Sequence, residues 1–398
     1  MKPWLAVITA CFALFCASLA DAQPLRIGVM TDINGMISDI SGAGSVVAAR
    51  LAVEDFGPTV LNRPIEVVVG DHQNKPDIGA SIARQWFDRD GVQMVIDLPN
   101  SSVALAVERV ADDHKKIFIA STGLAADITG KACIPTGFQW ATDTYALAHG
   151  IANAVVKAGG KTWFLLTADY AFGKNLAADG ADAVKKAGGT LIGQVLHPFD
   201  ASEFSTYLIA AKASGAQVIG LANGAGDTIN SIKQAHEFGI DAGGQQIAAF
   251  LLYITDVNSI GLEVAKGTYL VNSFYWDMDD KTRAFSKRFA ALHRGRKPTF
   301  AQAAVYSGVF HYLRAVKAAG TDDGPTVAAK MKELPVDDFY THGAKVRADG
   351  RIMRDHYLFQ VKAPAESKEP WDYYKLIATI PGAEAVRPVA ENPCPLLH

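Results

Sequence analysis

Short, almost continuously apolar segments alternate with segments of helical periodicity along most of this chain, and this alternation limits the folds open to it. Strand-like segments that are apolar at nearly every position have both faces buried, which is typical of a parallel sheet covered by helices on either side. In the first part of the chain, the predicted strands are residues 25–30, 65–69, 92–96 and 117–120, and the predicted helices are residues 44–56, 75–90 and 101–114.

The same alternation begins again after residue 143. Predicted helices cover residues 144–158, 173–187, 204–214 and 228–238, and predicted strands cover residues 162–166, 190–196, 218–221 and 246–252. A strand at 267–274, helices at 280–294 and 299–319, and strands within 345–361 and 373–380 complete the pattern. We predict an α/β protein with two doubly wound parallel-sheet lobes joined by a hinge.

The domain organisation follows from where the pattern restarts. We assign residues 23–143 and 274–350 to lobe 1, residues 144–273 and 351–385 to lobe 2, and residues 386–398 to a C-terminal tail. Ligands of open parallel sheets bind beyond the carboxyl ends of the strands. Two such sheets facing each other across a hinge therefore predict a cleft that closes around a small solute.

The N-terminus has the pattern of a secretory signal. Lys2 precedes an apolar, uncharged stretch over residues 4–19, and Ala20 and Ala22 are small residues where a signal peptidase cleaves. We predict cleavage after Ala22, so that residues 1–22 are removed. An uncleaved anchor is an alternative, but the apolar stretch is shorter than the ~20 residues of a spanning helix. A lipoprotein acylated at Cys16 is another, which the bulky Phe15 before it disfavours.

Two cysteines, Cys133 and Cys394, remain outside this signal. In an oxidising compartment such a pair is a candidate disulfide, and two separate thiols are the alternative. The sequence contains no CxxC motif and no cluster of cysteine and histidine, so we predict no metal site.

The charge balance and the missing motifs exclude several classes of protein. Lysine and arginine number 38 and aspartate and glutamate 41, mixed along the chain, so we expect neither nucleic acid nor a membrane surface as a partner. No GxGxxG, GxxxxGKS, GxSxG or HExxH motif is present. His342 lies in a Tyr-Thr-His-Gly turn, where a solvated histidine is a simpler interpretation than a catalytic one. We therefore expect no enzyme activity and no cofactor.

Four segments carry a resemblance to a known family: LRIGVMTDINGMISDISGAGSVVAARLAVEDFG, VIDLPNSSVALAVERVADDHKKIFIASTG, LLTADYAFGKNLAADGADAVKKAGG and AQAAVYSGVFHYLRAVKAAGT. In their order and spacing they resemble type I periplasmic solute-binding proteins, the ABC-transporter receptors of the branched-chain amino-acid (leucine/isoleucine/valine-binding) class. The resemblance covers essentially the whole mature chain. It implies a periplasmic monomer with two lobes and three hinge crossings, a small-molecule ligand, an ABC permease as partner, no cofactor and no catalysis.

The resemblance also implies a binding site, formed by loops at the ends of strands. It places ligand contacts at Asp39, Ile40, Asn100, Ser101, Ser121, Thr122, Gly123, Ala125, Tyr170, Phe172, Asn223 and Tyr253. In the family, the two turns around residues 100 and 122 hold the ligand's carboxylate with hydroxyl and backbone N–H groups, which suits the chemistry of helix N-termini. The second lobe supplies an aromatic ring, here Tyr170 or Phe172. Helix capping by Asn100 and Ser101, and core packing of the aromatic rings, are alternative interpretations.

One position departs from the family. Amino-acid receptors of this class place a carboxylate near Tyr253 to pair the ligand's ammonium, and an unpaired buried ammonium costs several kcal/mol. The sequence therefore favours an aromatic carboxylate, such as a hydroxybenzoate or a phenylpropenoid acid, unless Asp39 or Asp227 takes that role. The aromatic residues at 274–276 form a further wall or pack the hinge. An amino-acid receptor, or a ligand-sensing regulator without a transport role, is the alternative function.

Overall fold

The computed structural model describes residues 23–240 and 243–398. The predicted signal, residues 1–22, lies outside the described residues. No helix within the described ranges has both the length and the apolar character needed to cross a membrane.

The first sheet has six strands in the order β2-β3-β1-β4-β5-β6. Its strands pair in parallel, except for the hairpin between β2 and β3. The strands are β1 (Leu25–Thr31), β2 (Thr59–Val60), β3 (Arg63–Asp71), β4 (Val92–Asp97), β5 (Ile117–Ala120) and β6 (Gly137–Gln139), and the helices between them are α1 (Gly42–Phe56), α2 (Pro76–Asp88) and α3 (Ser101–Asp113). Strand β4 is buried at almost every position, as its continuous apolar sequence predicts.

The second sheet has four parallel strands in the order β10-β9-β7-β8. Its strands are β7 (Thr162–Ala168), β8 (Thr190–His197), β9 (Val218–Ala222) and β10 (Gln246–Ala249). The helices of this part are α4 (Thr144–Lys157), α5 (Ala171–Lys186), α6 (Ser205–Ala213), α7 (Gly226–Glu237), α8 (Ile254–Ile260) and α9 (Leu262–Ala265). The prediction of two doubly wound parallel sheets is confirmed.

The last part of the chain contributes to both lobes. Its elements are β11 (Tyr269–Asn272), α10 (Asp280–Leu292), α11 (Phe300–Ala319), α12 (Gly324–Glu333), β12 (Lys345–Val346), β13 (Ile352–Met353), β14 (His356–Val361), β15 (Tyr374–Ile380) and α13 (Gly382–Ala385). Helix α11 packs on α1 and β4, which places it in lobe 1. Strands β11, β14 and β15 form an antiparallel sheet whose first strand packs against α4 of lobe 2. The exact lobe boundaries given above stay predictions.

Some elements differ from the sequence-based expectation. The predicted strand at 246–252 ends at Ala249, because the next apolar residues turn towards α8 and are buried at the end of the sheet. The expected strand region 345–361 is divided into β12, β13 and β14 by turns, one of them at Gly350 with a φ of 84°. Strand β6 and helix α12 were not predicted.

The predicted disulfide between Cys133 and Cys394 is confirmed, with an Sγ–Sγ distance of 2.00 Å. It attaches the C-terminal tail to the segment that connects β5 and β6. Hydrogen bonds hold the same tail, since Asn392 Nδ2 donates to the carbonyl oxygen of Thr129 at 3.2 Å and to Asp349 Oδ2 at 3.0 Å. The tail also pairs with α5 of lobe 2, where Lys186 Nζ lies 2.8 Å from Glu391 Oε2 and Asp179 pairs with Arg387, so it contacts both lobes.

Candidate functional site

The two parallel sheets bring the loops at their carboxyl ends together. In the first sheet the strand order reverses at β1, which lies between β3 and β4, and in the second it reverses at β7, between β8 and β9. Open α/β sheets bind ligands at such a reversal, because the loops there leave in opposite directions and open a crevice. The loops after β1, β4 and β5 face those after β7, β9 and β10.

The cleft between the lobes is lined mainly by apolar side chains and aromatic rings. Its walls consist of Met36, Ile37, Ile40, Pro99, Thr122 and Leu124 from lobe 1, and of Tyr170, Phe172, Gly224, Ala225, Leu251 and Tyr253 from lobe 2. The cavity between these walls measures only about 20 Å³, close to the minimum that holds one water molecule. An organic solute is larger, so it enters only when the lobes move apart.

Direct contacts hold the two walls in this closed arrangement. The backbone N–H of Ala171 donates to Ser102 Oγ at 3.3 Å. Asp127 and Asn175 exchange two hydrogen bonds of 3.1 Å, one from the Asp127 backbone N–H and one from Asn175 Nδ2. These polar contacts lie at the rim of the cleft, and each joins α5 to lobe 1.

The polar end of the lobe 1 wall is Thr122, and a buried carboxylate lies behind it. Thr122 Oγ1 donates to Asp97 Oδ1, and the Thr122 backbone N–H donates to the Asp97 carbonyl oxygen at 3.2 Å. Burial raises the pKa of Asp97 to about 6, while the hydroxyls of Thr122, Thr31, Ser45 and Ser121 lower it. Asp97 also has a φ of 91°, a left-handed strain that structures tolerate mainly at functional positions.

The remaining predicted residues of the lobe 1 turns hold the wall in shape. Asn100 Oδ1 accepts from the backbone N–H groups of Ser102 at 2.9 Å and Val103 at 3.3 Å, so it caps α3. Ser101 Oγ accepts from the backbone N–H groups of Leu124 and Ala125 at 3.2 Å each. The capping interpretation agrees with the hydrogen bonds of Asn100, whereas Ser101 bonds to the neighbouring turn and does not cap α3. A ligand contact of either residue stays a prediction.

Gly123 permits the close approach of the two turns of lobe 1. A Cβ atom there would lie 2.9 Å from Ala104 Cβ and 2.9 Å from the Leu98 carbonyl oxygen. The carbonyl oxygens of Gly123 and Ala125 both accept from Gln139 Nε2, at 3.1 and 3.0 Å. The backbone of this turn is therefore fixed from behind by β6.

The lobe 2 wall is aromatic. Tyr170 is the residue before α5, and its ring packs against Phe199 and Phe172 with centroid distances of 4.8 and 6.0 Å. Tyr253 precedes α8, and its ring stacks on Phe300 of lobe 1 at 4.7 Å and 7°. Both tyrosine hydroxyls are protonated donors at neutral pH, and burial raises the pKa of each further.

Seven of the twelve predicted contact residues do not line the closed cleft. Five of them belong to the lobe 1 turns, namely Asn100, Ser101, Ser121, Gly123 and Ala125, and the other two are Asp39 and Asn223. Asp39 forms an ion pair of 2.6 Å with Arg296, and its side chain is 57% exposed. The Asn223 side chain is buried within lobe 2, where its Oδ1 accepts from Thr228 Oγ1 at 2.8 Å and its Nδ2 lies 3.1 Å from Ser231 Oγ and from His197 Nε2. Their roles as ligand contacts stay predictions that need a different, open arrangement.

The second carboxylate proposed to pair an ammonium, Asp227, also has other partners. Asp227 is buried and accepts from the backbone N–H groups of Ala201 at 2.8 Å and Asp200 at 3.3 Å.

Tyr275 Oη and Trp276 Nε1 both donate to the Trp371 carbonyl oxygen, at 3.1 and 2.8 Å, so these aromatic residues pack the hinge. Within residues 23–240 and 243–398, no group of three or more His, Cys, Asp or Glu side chains is placed to hold a metal ion.

A family model described as "Periplasmic binding protein" matches residues 24–368. This chain belongs to the periplasmic binding protein family. Among solved structures, it is similar to a periplasmic binding protein from Burkholderia mallei, with 48% identity, a TM-score of 0.92, and coverage of 94% of this chain and 99% of the other. It is also similar to a branched chain amino acid ABC transporter periplasmic ligand-binding protein from Burkholderia xenovorans LB400, with 40% identity, a TM-score of 0.84, and coverage of 94% and 100%.

Other proteins are similar to this chain at lower sequence identity. Leu/Ile/Val-binding protein homolog 6 of Brucella melitensis is 23% identical over 341 residues, covering 84% of this chain and 85% of its own length. A solute binding protein from Rhodopseudomonas palustris BisB5, solved with 3,4-dihydroxy benzoic acid, is 21% identical with a TM-score of 0.81 and coverage of 90% and 98%. A leucine binding protein from Thermotoga maritima is 18% identical with a TM-score of 0.78 and coverage of 90% and 99%.

Membership of the family confirms the resemblance seen in the sequence. This periplasmic binding protein is a substrate-binding component of an ABC transporter and acts outside the cytoplasm. The sequence had not marked Met36, Leu124 or Leu251 as wall residues, nor Asp97 as the group behind Thr122. Apolar residues carry no signal that separates a cleft wall from a core, so only the fold could place them there.

Proposed function

We propose that this periplasmic binding protein captures a small aromatic carboxylic acid, such as a hydroxybenzoate or a phenylpropenoid acid, and delivers it to an ABC permease. The observation that supports this most is the composition of the cleft. Of the described residues that line the cleft, Tyr170, Phe172 and Tyr253 have aromatic rings and none is charged. All the other lining residues are apolar except Thr122. A planar apolar solute with one polar end fits such walls.

The ring of the solute is expected to lie between the two lobes. On the lobe 2 side, Tyr170 and Phe172 offer aromatic surface, and on the lobe 1 side Ile37, Ile40 and Leu124 offer aliphatic surface. Offset or edge contacts between aromatic rings add about 0.5–1.5 kcal/mol beyond the burial of their area. The ring thus gains most of its contact energy only after lobe 2 has closed on it, which makes closure depend on the solute.

The carboxylate of the solute needs groups with positive electrostatic potential, and none of the described residues that line the cleft is a cation. Helices α3, α5 and α7 begin at Ser101, Ala171 and Gly226, next to residues that line the cleft. The N-terminus of a helix has a partial positive charge and N–H groups without partners inside the helix, which together stabilise an anion. In the closed form Asn100 accepts from two such groups of α3, and Ser102 Oγ accepts from the Ala171 N–H of α5. We therefore propose that the carboxylate is held by hydroxyl and backbone donors where these helices converge.

A branched-chain amino acid is the second candidate. The aliphatic wall of lobe 1 suits a leucine side chain, and the relative from Burkholderia xenovorans is described as a branched chain amino acid transporter component. The site offers poor compensation for an ammonium, because Asp39 pairs with Arg296 and Asp227 holds backbone N–H groups. A third carboxylate, Asp97, does not line the cleft and lies behind the Thr122 hydroxyl. A solute binding protein solved with 3,4-dihydroxy benzoic acid and a protein described as a leucine binding protein share this fold, so the lining, not the fold, favours the aromatic acid.

The proposed mechanism is capture and release without chemistry on the solute. The open form binds the solute on lobe 1, and closure then forms the rim contacts between α5 and lobe 1, including the pair of hydrogen bonds between Asn175 and Asp127. Closure stabilises the complex only through contacts that the open form lacks. The closed pair of lobes is the form offered to the permease.

Isothermal titration calorimetry with protein that has been unfolded and refolded to remove carried solute tests the proposal. The panel is 4-hydroxybenzoate, benzoate, cinnamate, cyclohexanecarboxylate and leucine. We expect micromolar or tighter binding of at least one aromatic acid, and weaker binding of cyclohexanecarboxylate, which lacks the planar ring. Tight binding of leucine with no heat from any aromatic acid would overturn the proposal in favour of the second candidate.

A further inference from the structure

A fully buried carboxylate, Asp97, lies immediately behind the polar end of the cleft. It is the last residue of β4, and its side chain has no exposed surface. One oxygen, Oδ1, accepts the proton of the Thr122 hydroxyl, and Thr122 lines the cleft. The other oxygen, Oδ2, forms no hydrogen bond of good geometry with the described residues, although the hydroxyls of Thr31, Ser45 and Ser121 lie near enough to the carboxylate to lower its pKa. A carboxylate this deeply buried is costly when it is charged and incompletely paired.

Among the described residues, the side chains that act on Asp97 are hydroxyls, and no cation is among them. The groups that interact with it are the hydroxyls of Thr31 on β1, Ser45 on α1, and Ser121 and Thr122 after β5. From lobe 2, the titratable group that faces it is the phenol of Tyr253. All of these groups are neutral at physiological pH, so the protonation of Asp97 decides the charge at this end of the cleft.

The protonation of Asp97 also decides which way the Thr122 hydroxyl points. A threonine hydroxyl has a single proton to donate. When Asp97 is ionised, that proton is committed to Oδ1, so the side of Thr122 that faces the cleft offers only lone pairs in front of a negative charge. When Asp97 is protonated, the carboxyl group can donate to Thr122 instead, and the threonine proton is then free to bind an anion in the cleft.

We propose that binding of the solute carboxylate at Thr122 is coupled to uptake of one proton by Asp97, so that the cleft takes up the anion and a proton together. The proposal rests on the proposed function, because it needs a solute with a carboxylate at this end. Asp97 is then a positioning residue, which acts on the solute through the Thr122 hydroxyl. No covalent bond changes, and the proton comes from solvent before the lobes close.

The direction of the pH dependence follows from burial. Burial raises the pKa of Asp97 to about 6. Below pH 6 the Asp97 carboxyl group is therefore already protonated in the free protein, and binding of the anion requires no proton uptake. Above pH 6 the proton must be acquired on binding, and the dissociation constant rises towards tenfold per pH unit, or about 50-fold from pH 6 to pH 8. A benzoate-type carboxyl group is ionised over this whole range, so its own titration does not contribute.

Calorimetric titration of 4-hydroxybenzoate at pH 6, 7 and 8, in pairs of buffers with different ionisation enthalpies, tests the coupling. For the wild type we expect uptake of about one proton at pH 8 and the loss of affinity just described. Asp97→Asn keeps a neutral side chain that donates to Thr122, so we expect a dissociation constant that changes by less than about threefold from pH 6 to pH 8. At pH 8 this variant should bind the acid more tightly than the wild type.

Glu108→Gln is the matched control. Glu108 is another buried carboxylate of lobe 1, and burial also raises its pKa, but its side chain lies beside Gly137 of β6 and does not line the cleft. This variant should keep the pH dependence of the wild type. Far-ultraviolet circular dichroism checks that each variant is folded, and the buffer dependence of the wild type needs no variant at all.

The outcomes separate this inference from the proposed function. Binding of an aromatic acid with no proton uptake at pH 8, or with an equal pH dependence in Asp97→Asn, overturns the coupling and leaves the proposed function standing. Failure of every aromatic acid to bind at every pH overturns both. A pH dependence lost equally in Glu108→Gln also contradicts the assignment to Asp97.

Discussion

The two walls of the cleft are built on different physical principles. The lobe 1 wall is a set of turns fixed by directed hydrogen bonds, from the Asn100 cap of α3 to the contact between Thr122 and the buried Asp97. The lobe 2 wall is a set of aromatic rings, in which Tyr170 packs on Phe199. Among the described residues, no group forms a hydrogen bond with the Tyr170 hydroxyl. The lobe 1 wall therefore offers hydrogen-bonding groups in fixed orientations, and the lobe 2 wall offers apolar contact area.

This difference suggests a division of work in recognition. Hydrogen bonds depend steeply on angle and on unpaired partners, so the lobe 1 wall can discriminate between the polar ends of solutes. Burial of apolar area is non-directional, so the lobe 2 wall should add affinity for any planar solute of suitable size. Changes in lobe 1 should therefore alter which solutes bind, and changes in lobe 2 should alter how tightly they all bind.

The largest expected effect comes from removing the disulfide that attaches the C-terminal tail to lobe 1. The disulfide between Cys133 and Cys394 closes a loop across a sequence separation of 261 residues. We expect the double variant Cys133→Ser/Cys394→Ser to lose about 2–5 kcal/mol of unfolding free energy, because the unfolded chain is no longer cross-linked. Urea unfolding followed by tryptophan fluorescence measures this. Wild-type protein in excess reductant is the control and should match the variant, and equal stability of the variant and the oxidised wild type would contradict the prediction.

The next effect concerns a buried carboxylate behind the lobe 2 wall. Asp256 Oδ2 accepts from the backbone N–H of Tyr253 at 2.9 Å, and burial raises the pKa of Asp256 to about 7. A raised pKa means that the folded protein keeps this proton while the unfolded chain has already lost it. The stability that the protonated group contributes is therefore lost as pH rises from about 4 to about 7.

Asp256→Asn removes this titration and keeps an oxygen that can accept from Tyr253. We expect the variant to gain about 3 kcal/mol relative to the wild type when the pH is raised from 4.5 to 7.5, with little further change above that. Urea unfolding at the two pH values measures the gap. A gap that stays constant across this range would show that Asp256 is not protonated in the folded protein.

The sequence was most informative about the sheets, and the reason is physical. Strands such as β4 must be apolar on both faces because helices cover both, so burial leaves a local signature in the sequence. Helix α12 was missed because it is short and begins at Gly324-Pro325, a pair that also starts turns. Strand β10 was predicted too long because residues 250–253 are apolar for a different reason, namely their burial around the cleft.

The site was only partly predictable because side-chain direction depends on distant partners. Asp39 lies in the expected loop, but its carboxylate forms an ion pair with Arg296, a residue of the segment before α11. Asn223 follows β9 as expected, but His197 and Ser231 hold its amide inside lobe 2. Asp97 had the pattern of an ordinary polar residue after a strand. Its burial arises only when β1, α1 and β5 are brought together.

Truncation of the lobe 2 wall should weaken every planar solute alike. Tyr170 lines the cleft, and we expect Tyr170→Ala to raise the dissociation constants of 4-hydroxybenzoate and benzoate by roughly 10–100-fold, the cost of removing an aromatic contact of this size. Tyr170→Phe keeps the ring and should change both by less than about threefold. Titration calorimetry at pH 6 compares them. Similar losses in both variants would assign the effect to the hydroxyl and contradict the division between the walls.

The smallest expected effect is also the most selective one, and it lies in lobe 1. Thr122→Val keeps the shape of the side chain and removes the hydroxyl that faces both Asp97 and the cleft. At pH 6 we expect it to weaken 4-hydroxybenzoate about fivefold, the usual net value of a hydrogen bond, and to leave 4-hydroxybenzamide nearly unchanged, because that neutral analogue keeps the ring. Thr122→Ser retains the hydroxyl and should bind both compounds like the wild type. If Thr122→Val weakens the acid and the amide equally, the lobe 1 wall supplies only contact area, and the distinction between the two walls fails.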